Sequence, residues 1–280
     1  MVVPVYGGRL WQDDAMGYEQ LTWDPAKYVE FGDFRNRPFF DLTGRITADA
    51  PRHAVDLGCG PGNLTATLSR RWPGANVEGL DSSAEMIAKA RHDAGTRDGG
   101  SLTFAEADIR SWRPEPGTDV VVSNAALQWV PGHQELMSAW LAALAPGAWL
   151  AVQVPGNFAS PSHVLMRELA ESPRWRKQLD GVLRHNDAVW EPGQYHELLL
   201  GAGARADVWE TTYNQLLQGD SPVLNWVRGT GLRPVLQALG TTDGAEYEAE
   251  YSALLDEAYP AGEFGTIFPF RRIFMVAQKL

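Results

Sequence analysis

Three aspartates stand at the ends of short apolar runs in the first half of the chain, at Asp56, Asp81 and Asp108. The first opens the stretch 56–62 (DLGCGPG), which is rich in glycine. Glycines let a backbone pass close to a ligand, and a turn that opens a helix favours negative charge. Asp81 stands where an acid can accept hydrogen bonds from both hydroxyls of a ribose. Together these residues indicate a site for an adenosine-containing cofactor.

The glycine turn does not by itself say which cofactor binds. Its glycines are Gly58, Gly60 and Gly62, and the last position of a GxGxxG dinucleotide pattern is Asn63 instead of glycine. Dinucleotide binding therefore stays open but fits imperfectly. Asp108 and Ile109 place an acceptor and an apolar edge where an adenine amino group and ring would lie.

Strands must alternate with helices to position these residues. Short apolar runs predict five strands, at 53–56, 76–80, 102–107, 119–123 and 149–154. An amphipathic helix is expected from about Asn63 to Trp72, and a capped helix is expected after the second strand. This alternation predicts a Rossmann-like α/β fold: a parallel sheet with right-handed crossovers and helices on both faces.

The second half of the chain has a different rhythm. Two segments look mostly helical, at 156–203 and 221–258, and two more strands are expected at 206–216 and 266–278. The prediction is a seven-stranded, mostly parallel sheet with helical cap insertions between its last strands.

The chain is predicted to have three parts. Residues 1–20 form a flexible N-terminal extension. Residues 21–155 form the cofactor-binding part, with an N-terminal lid helix that begins near Asp24, a good capping residue. Residues 156–280 supply the cap insertions and the last two strands of the same sheet.

The bulk composition limits the choice of partners. The net charge is −11, which argues against a nucleic-acid partner. The sequence contains no run of about 18 apolar residues that could span a membrane. The N-terminus lacks the basic and then apolar segments of a signal peptide. One Cys excludes an internal disulfide framework. These features favour a cytoplasmic protein. The cations are 20 Arg and 4 Lys, so bidentate clamping of an anion is one explanation for the arginines and codon bias is the other.

Four motifs in this order resemble the class I S-adenosylmethionine-dependent methyltransferases: DLGCGPG (56–62), LDSS with Met86, EADI (106–109) and SNAALQW (123–129). The resemblance implies S-adenosylmethionine as the cofactor, held by the glycine turn, with Asp81 on the ribose and Asp108 on the adenine amino group. The expected cofactor-binding residues are Asp56, Gly58, Gly60, Gly62, Asp81, Ser82, Met86, Asp108, Ile109, Asn124, Trp23, Tyr28 and Arg35.

The resemblance extends from Trp23 over nearly the whole chain to the trans-aconitate 2-methyltransferase subfamily. Stretches outside the cofactor motifs carry it, among them WDPAKYVEF (23–31), PSHVLMRE (161–168), TGLRP (230–234) and FPFRRIFMVA (268–277). Such enzymes esterify a carboxylate of trans-aconitate or a related tricarboxylic acid. The implied partner is therefore a small anionic carboxylic acid.

The stretch 123–129 contains no Asp, Glu, His, Lys or Cys, although it ends a strand at the expected site. A phenol, amine or thiol must usually lose a proton before it accepts a methyl group, so its enzyme tends to carry a base there. A carboxylate is already ionised at pH 7 and needs only positioning about 3 Å from the methyl carbon, with counter-charge. The stretch therefore favours an ionised acceptor, and a base supplied from the cap stays open.

The counter-charge must come from arginines elsewhere in this acidic chain. Arg271 and Arg272 are neighbours on the last strand, so strand alternation sends them to opposite faces and only one is expected to reach the pocket. The expected substrate residues are Gln128, Trp129, His163, Tyr213, Arg233, Arg271 and Arg272. Arg37 and Arg228 are further candidates, and Arg35 has the cofactor carboxylate as an alternative ligand.

Other functions stay possible at this stage. The chain could methylate a fatty or carrier-linked acid, or it could bind the cofactor without catalysis. An NAD-dependent dehydrogenase is disfavoured by Asn63. The other histidines show no ligand spacing, so no metal site is predicted, and the protein is expected to be a monomer or small homo-oligomer.

Overall fold

The computed structural model describes residues 36–97, 99–183, 188–228 and 231–280. The predicted extension 1–20, the lid helix and the candidate residues Trp23, Tyr28 and Arg35 lie outside the described residues.

The described residues form one eight-stranded sheet with strand order β3-β4-β2-β1-β5-β6-β8-β7. The strands are β1 (His53–Leu57), β2 (Asn76–Asp81), β3 (Gly95–Arg97), β4 (Gly100–Glu106), β5 (Val120–Asn124), β6 (Trp149–Pro155), β7 (Ala204–Leu217) and β8 (Thr266–Lys279). The central strands β4, β2, β1, β5 and β6 pair in parallel. Strand β8 runs antiparallel to both β6 and β7, and β3 runs antiparallel to β4.

Nine α-helices surround the sheet in the described part of the chain. They are α1 (Arg37–Thr43), α2 (Thr65–Arg71), α3 (Ala84–Ala90), α4 (His133–Ala143), α5 (Pro161–Ala170), α6 (Arg176–Leu179), α7 (Pro192–Gly201), α8 (Pro222–Arg228) and α9 (Arg233–Ala258). Proline stands at the start of α5 and α7, where its missing N–H costs nothing. Helix α9 is broken at Gly240, whose φ is +70°.

Three apolar clusters hold the fold together. One face of the sheet packs against α1, α2 and α3 through residues such as Phe39, Leu68 and Phe104. The opposite face packs against α4 and α7, with Trp140 at its centre. The third cluster joins the cap helices α5, α6, α8 and α9 to the first part of β8. Helices therefore cover both faces, as the alternation predicts.

The predicted fold class is confirmed. The seven strands predicted from sequence are all present in the described residues, and β3 adds a short antiparallel edge strand that sequence reasoning missed. The cap helices lie in the two predicted insertions, between β6 and β7 and between β7 and β8. Because Pro155 at the end of β6 pairs with Arg272, the residues of β8 before Arg272 extend beyond the end of β6. This extension carries the cap.

Candidate cofactor and acceptor site

The glycine turn links β1 to α2 and has three residues with positive φ: Gly58 (+80°), Gly60 (+55°) and Gly62 (+81°). A Cβ at Gly58 would lie 2.3 Å from Cβ of Ala126, so the turn touches the loop after β5. A Cβ at Gly60 would meet no atom within 4 Å. The backbone at Gly60 therefore faces open space at the carboxyl edge of the sheet, where a ligand of this fold binds.

Asp81 holds the turn in place from the end of β2. Its Oδ2 accepts a hydrogen bond from the Gly60 amide at 2.9 Å, and its Oδ1 accepts one from the Ser83 amide at 2.8 Å. Each carboxylate oxygen keeps a further lone pair for a ligand hydroxyl. Ser83, and not the more exposed Ser82, caps α3 by accepting a bond from the Met86 amide at 3.3 Å.

Asp56 lies deeper than the other two acids. Only 3% of the residue is exposed, and its Oδ2 accepts a hydrogen bond from the Thr65 hydroxyl at 2.6 Å. Burial raises the pKa of the Asp56 carboxyl to about 6, partly offset by the bond from Thr65. The side chain thus ties β1 to the first turn of α2 beneath the glycines.

Asp108 and Ile109 follow β4 at the same edge. Asp108 accepts hydrogen bonds from its neighbour Arg110, which lowers the pKa of the Asp108 carboxyl. The side chain of Ile109 lies 3.6 Å from the Cβ position of Gly58 and so borders the turn. An adenine amino group would have to share Asp108 with Arg110.

The stretch 123–129 forms a tight turn at the end of β5. Ala125 has a φ of +54°, which is unusual for a residue with a side chain and indicates local strain. The Gln128 amide donates a hydrogen bond back to the Ala125 carbonyl at 2.6 Å, and Trp129 is 46% exposed. Gln128 thus shapes the turn, while Trp129 presents a ring at its rim.

A buried polar row crosses the sheet beside this turn. Asn124 pairs in register with Gln153 on β6, and Gln153 Oε1 accepts a hydrogen bond from Arg272 Nη1 at 3.1 Å. Gln153 is fully buried and Arg272 is 6% exposed. Among the described residues, neither Asn124 Oδ1 nor Gln153 Nε2 has a hydrogen-bond partner. A buried acceptor and a buried donor without protein partners are groups that an ordered water or a polar ligand can satisfy.

Tyr213 lies on the same face, on β7. Its hydroxyl donates a hydrogen bond to Asp41 at 2.6 Å, and the Arg37 guanidinium lies 5.0 Å from its ring centre. Burial and the neighbouring Asp41 both raise the pKa of the Tyr213 hydroxyl. Tyr213 is therefore a protonated side chain that joins α1 to the sheet edge next to Arg272.

Arg271 takes the opposite face, as strand alternation predicts. Its guanidinium binds Glu191 at the start of α7 and Glu210 on β7, and it also donates to the Gly156 carbonyl. These contacts raise the pKa of the guanidinium, the Glu191 bond most of all. Arg271 thus acts as a tie between β8, β7 and α7, and Arg272 is the one of the two that lies in the polar row.

The cap helices carry three candidate residues for the acceptor site: His163, Arg228 and Arg233. His163 stands in the first turn of α5, and Arg228 pairs with Glu248 within the cap. Arg233 is exposed at the start of α9, and its charge helps lower the pKa of Glu85 on α3 after the larger effect of Lys89. The Arg233 guanidinium therefore lies within electrostatic range of Glu85 in the first turn of α3.

A separate cavity of about 850 Å³ lies in the cap, lined by Arg167, Arg176 and Lys177 among others. None of the predicted site residues that the structure describes lines it. In the described part of the chain, no group of three or more His, Cys, Asp or Glu side chains could hold a metal ion. No described helix is long and apolar enough to cross a membrane.

Sequence reasoning missed Gln153, Asn157 and Asp41. Gln153 is the polar residue within the apolar run 149–154 (WLAVQV), and that interruption of a buried strand was the available signal. Asn157 and Asp41 carry no pattern of their own. Tyr213 lies 172 residues from Asp41, whereas His163 lies only 6 residues after Asn157, in the first turn of the next helix.

The sheet order, the glycine turn and the acids beside it define a class I S-adenosylmethionine-dependent methyltransferase. A family model described as a methyltransferase domain matches residues 54–147. Similar solved structures include the YcgJ protein from Bacillus subtilis, with a TM-score of 0.55 at 12% identity over 87% of this chain and 98% of that one. Another is a putative methyltransferase from Bacillus halodurans, with a TM-score of 0.51 at 15% identity over 87% and 99%.

Curated relatives narrow the family. A trans-aconitate 2-methyltransferase of Streptomyces avermitilis is 57% identical over 92% of this chain and 97% of its own length. Enzymes of the same name from Streptomyces coelicolor and Mycobacterium tuberculosis are 58% identical over 92% and 87%, and 48% identical over 91% and 96%. The chain belongs to the trans-aconitate 2-methyltransferase family, which confirms the resemblance read from the motifs.

Proposed function

We propose that this enzyme transfers a methyl group from S-adenosylmethionine to a carboxylate oxygen of trans-aconitate or a closely related tricarboxylic acid. The observation that carries this proposal is the extent of the similarity. Relatives with this activity in their names match 91–92% of the chain, including the cap that lies outside the methyltransferase domain of residues 54–147.

The residues of the glycine turn suit the cofactor. Gly60 offers a backbone with open space above it, and Asp81 offers carboxylate oxygens beside it. Asn124 Oδ1 is a buried acceptor at the end of β5 that suits the methionyl amino group. When bound, S-adenosylmethionine supplies a sulfonium methyl group, and S-adenosylhomocysteine remains after transfer. We propose Asp81, Gly60 and Asn124 as the main cofactor contacts, with Asp108, Met86 and Ile109 around the adenine.

The acceptor carboxylate needs position and counter-charge. Arg272 supplies a buried guanidinium at the carboxyl edge, and Gln153 Nε2 supplies a neutral donor next to it. In a site that excludes water, such donors interact strongly with a carboxylate. Trp129 forms a wall at the rim, and Arg233 adds positive charge from the cap.

No proton has to move in this reaction. A lone pair of the carboxylate oxygen forms the new bond to the methyl carbon, and the electron pair of the broken carbon–sulfur bond stays on sulfur. Because tricarboxylic acids are ionised at pH 7, the absence of an ionisable side chain in residues 123–129 is compatible with catalysis by positioning and electrostatics.

A screen with methyl-labelled S-adenosylmethionine tests the proposal. The acceptors are trans-aconitate, cis-aconitate, isocitrate, citrate and a medium-chain fatty acid. We expect a base-labile labelled ester from trans-aconitate and a much smaller yield from the fatty acid. Transfer to the fatty acid alone would replace the tricarboxylate with an apolar acid. Cofactor binding without transfer to any acid would favour a non-catalytic binding protein.

A further inference from the structure

His163 is an ionisable side chain of the cap that follows the carboxyl end of β6 closely in the chain. It lies in the first turn of α5, two residues after Pro161, and the loop 156–160 joins it to the end of β6. A histidine in this place could act either as a base or as a hydrogen-bond donor. The contacts of its two ring nitrogens distinguish these roles.

The Nδ1 atom of His163 faces two groups that can donate. Asn157 Nδ2 lies 3.4 Å from Nδ1, and the Ser162 hydroxyl oxygen lies 3.2 Å from it. With the amide nitrogen of Asn157 facing the ring, as here, Nδ1 is the acceptor and the ring proton is on Nε2. Asn157 is 2% exposed and Ser162 is fully buried, so bulk water does not compete for these contacts.

The ring stays neutral at pH 7. Burial lowers the pKa of His163 to about 4, and the charge of Arg167, one turn further along α5, lowers it in the same direction. The positive end of the helix dipole also opposes a charge on a residue in the first turn. A neutral ring that carries its proton on Nε2 cannot take a proton through that atom, but it can donate one to a hydrogen bond.

The Nε2 atom points toward Gly231, just before α9. A Cβ at Gly231 would lie 3.3 Å from Nε2, so any larger residue would crowd this side of the ring. Among the described residues, none accepts a hydrogen bond from Nε2.

Two buried tyrosines of α9 and the half-buried Tyr259 after it anchor the helix that carries His163. Tyr251 donates to the Ser162 carbonyl at 2.6 Å, and the Ser162 amide donates to the Tyr259 hydroxyl at 3.0 Å. Tyr247 donates to the Met166 carbonyl at 2.6 Å. Both backbone groups of the residue next to His163 are therefore held, which fixes the ring relative to the cap.

We propose that Asn157 is a positioning residue that holds His163 as an Nε2–H donor, and that His163 uses this donor to bind a carboxylate of the acid instead of serving as a base. The inference rests on the proposed function for the identity of the acid. In this role His163 would bind the ionised acid as a hydrogen-bond donor, so the reaction would need no base from the cap.

The first test is independent of catalysis. The full-length protein is labelled with ¹⁵N-histidine, and long-range ¹H–¹⁵N correlation at pH 7 reports which ring nitrogen carries the proton. His163→Gln assigns the signal. We expect the Nε2–H form in the wild type and the Nδ1–H or doubly protonated form in Asn157→Asp, because a carboxylate accepts from Nδ1–H. An Nδ1–H or doubly protonated ring in the wild type would overturn the proposal.

The second test is kinetic. For Asn157→Asp we expect the KM for trans-aconitate to rise about tenfold or more, with the KM for S-adenosylmethionine within about twofold of the wild type. His163→Gln should retain more affinity for the acid than His163→Leu, because the Gln amide can replace Nε2–H as a donor. Asn214→Asp, which makes the same charge change on exposed β7, is the matched control and should behave as the wild type.

An unchanged KM for the acid in Asn157→Asp, despite a shifted ring proton, would remove His163 from the acceptor site. If the wild type methylates no acid at all, the proposed function fails, whereas the ring-proton measurement still decides the state of His163.

Discussion

Arg272 and Gln153 face each other across β6 and β8, with Nη1 of Arg272 donating to Oε1 of Gln153 at 3.1 Å. A guanidinium only donates, so this contact fixes the orientation of the amide and turns Gln153 Nε2 away from Arg272. The buried pair therefore presents donors at the carboxyl edge of the sheet, next to Asn124. This arrangement suits recognition of a carboxylate.

The two neighbouring arginines of β8 should respond differently to the same substitution. Arg272→Gln removes buried positive charge from the proposed acceptor site, so the KM for trans-aconitate should rise about tenfold or more. Arg271→Gln breaks the ties to Glu191 and Glu210 and should lower the free energy of unfolding by about 1 kcal/mol. Steady-state kinetics and urea unfolding of both variants check this. If the KM for trans-aconitate rose only in Arg271→Gln, Arg271 and not Arg272 would be the arginine that binds the acid.

A side chain at Gly60 should interfere with cofactor binding and not with packing inside the protein. Gly60→Ala and Gly117→Ala both place a Cβ at positive φ in open space, so each should cost about 1–2 kcal/mol of stability. Only Gly60→Ala should raise the dissociation constant for S-adenosylmethionine, measured by calorimetry. Equal cofactor affinity in the two variants would show that the backbone at Gly60 does not approach the ligand.

Asp81 should act on the cofactor more than on the acid. Asp81→Ala removes the acceptor of the Gly60 amide and the proposed ribose contact, so the dissociation constant for S-adenosylmethionine should rise about tenfold or more. Asp119→Ala, which breaks an exposed pair with Arg52 at the start of β5, is the control and should leave it unchanged. A rise of equal size in both variants would point to general destabilisation.

Asp56 should make stability depend on pH in an unusual direction. Its pKa in the folded protein is about 6, above the ordinary value, so its stabilising contribution is present at low pH and is lost as pH rises through 6. Asp56→Asn removes this dependence while keeping an acceptor for Thr65. The free energy of unfolding of the variant, minus that of the wild type, should increase by on the order of 2–3 kcal/mol when the pH is raised from 4 to 7.5.

Urea unfolding at several pH values checks the effect at Asp56. Asp119→Asn should show the opposite pH dependence. Arg52 lowers the pKa of the Asp119 carboxyl, so the stability that this carboxyl gives the wild type is present at neutral pH and is lost as pH falls. A gain in Asp56→Asn that is independent of pH would mean that the carboxyl does not titrate in this range.

Much of the fold could be predicted because its signals are local. The runs that form β1, β2, β4, β5 and β6 are largely apolar, and each ends in, or is followed within two residues by, glycine, aspartate or asparagine. Such patterns need no knowledge of distant residues. The short strand β3 was missed because three residues next to a turn show no periodicity. The break in α9 at Gly240 was missed for a similar reason, since a single glycine in a helical pattern does not require a kink.

The candidate site could be predicted only in part. The glycine turn and Asp81 are recognisable from type and spacing, and the structure brings them together at one edge of the sheet. The contacts around the acceptor, from Gln153 to Asn157, depend on pairs that are distant in the chain or carry no pattern of their own. Which substrate residues bind the acid stays a prediction.

By itself, the sequence determined the class of fold, the cofactor turn and the absence of an ionisable group in residues 123–129, because these depend on neighbouring residues and strand periodicity. Only the tertiary structure decided between Arg271 and Arg272. Their partners lie far away in the chain: Gln153 is 119 residues from Arg272, and Glu191 and Glu210 are 80 and 61 residues from Arg271. Alternation predicts that the two arginines separate, but the side chains that meet each of them are set by how β6, β7 and β8 pair.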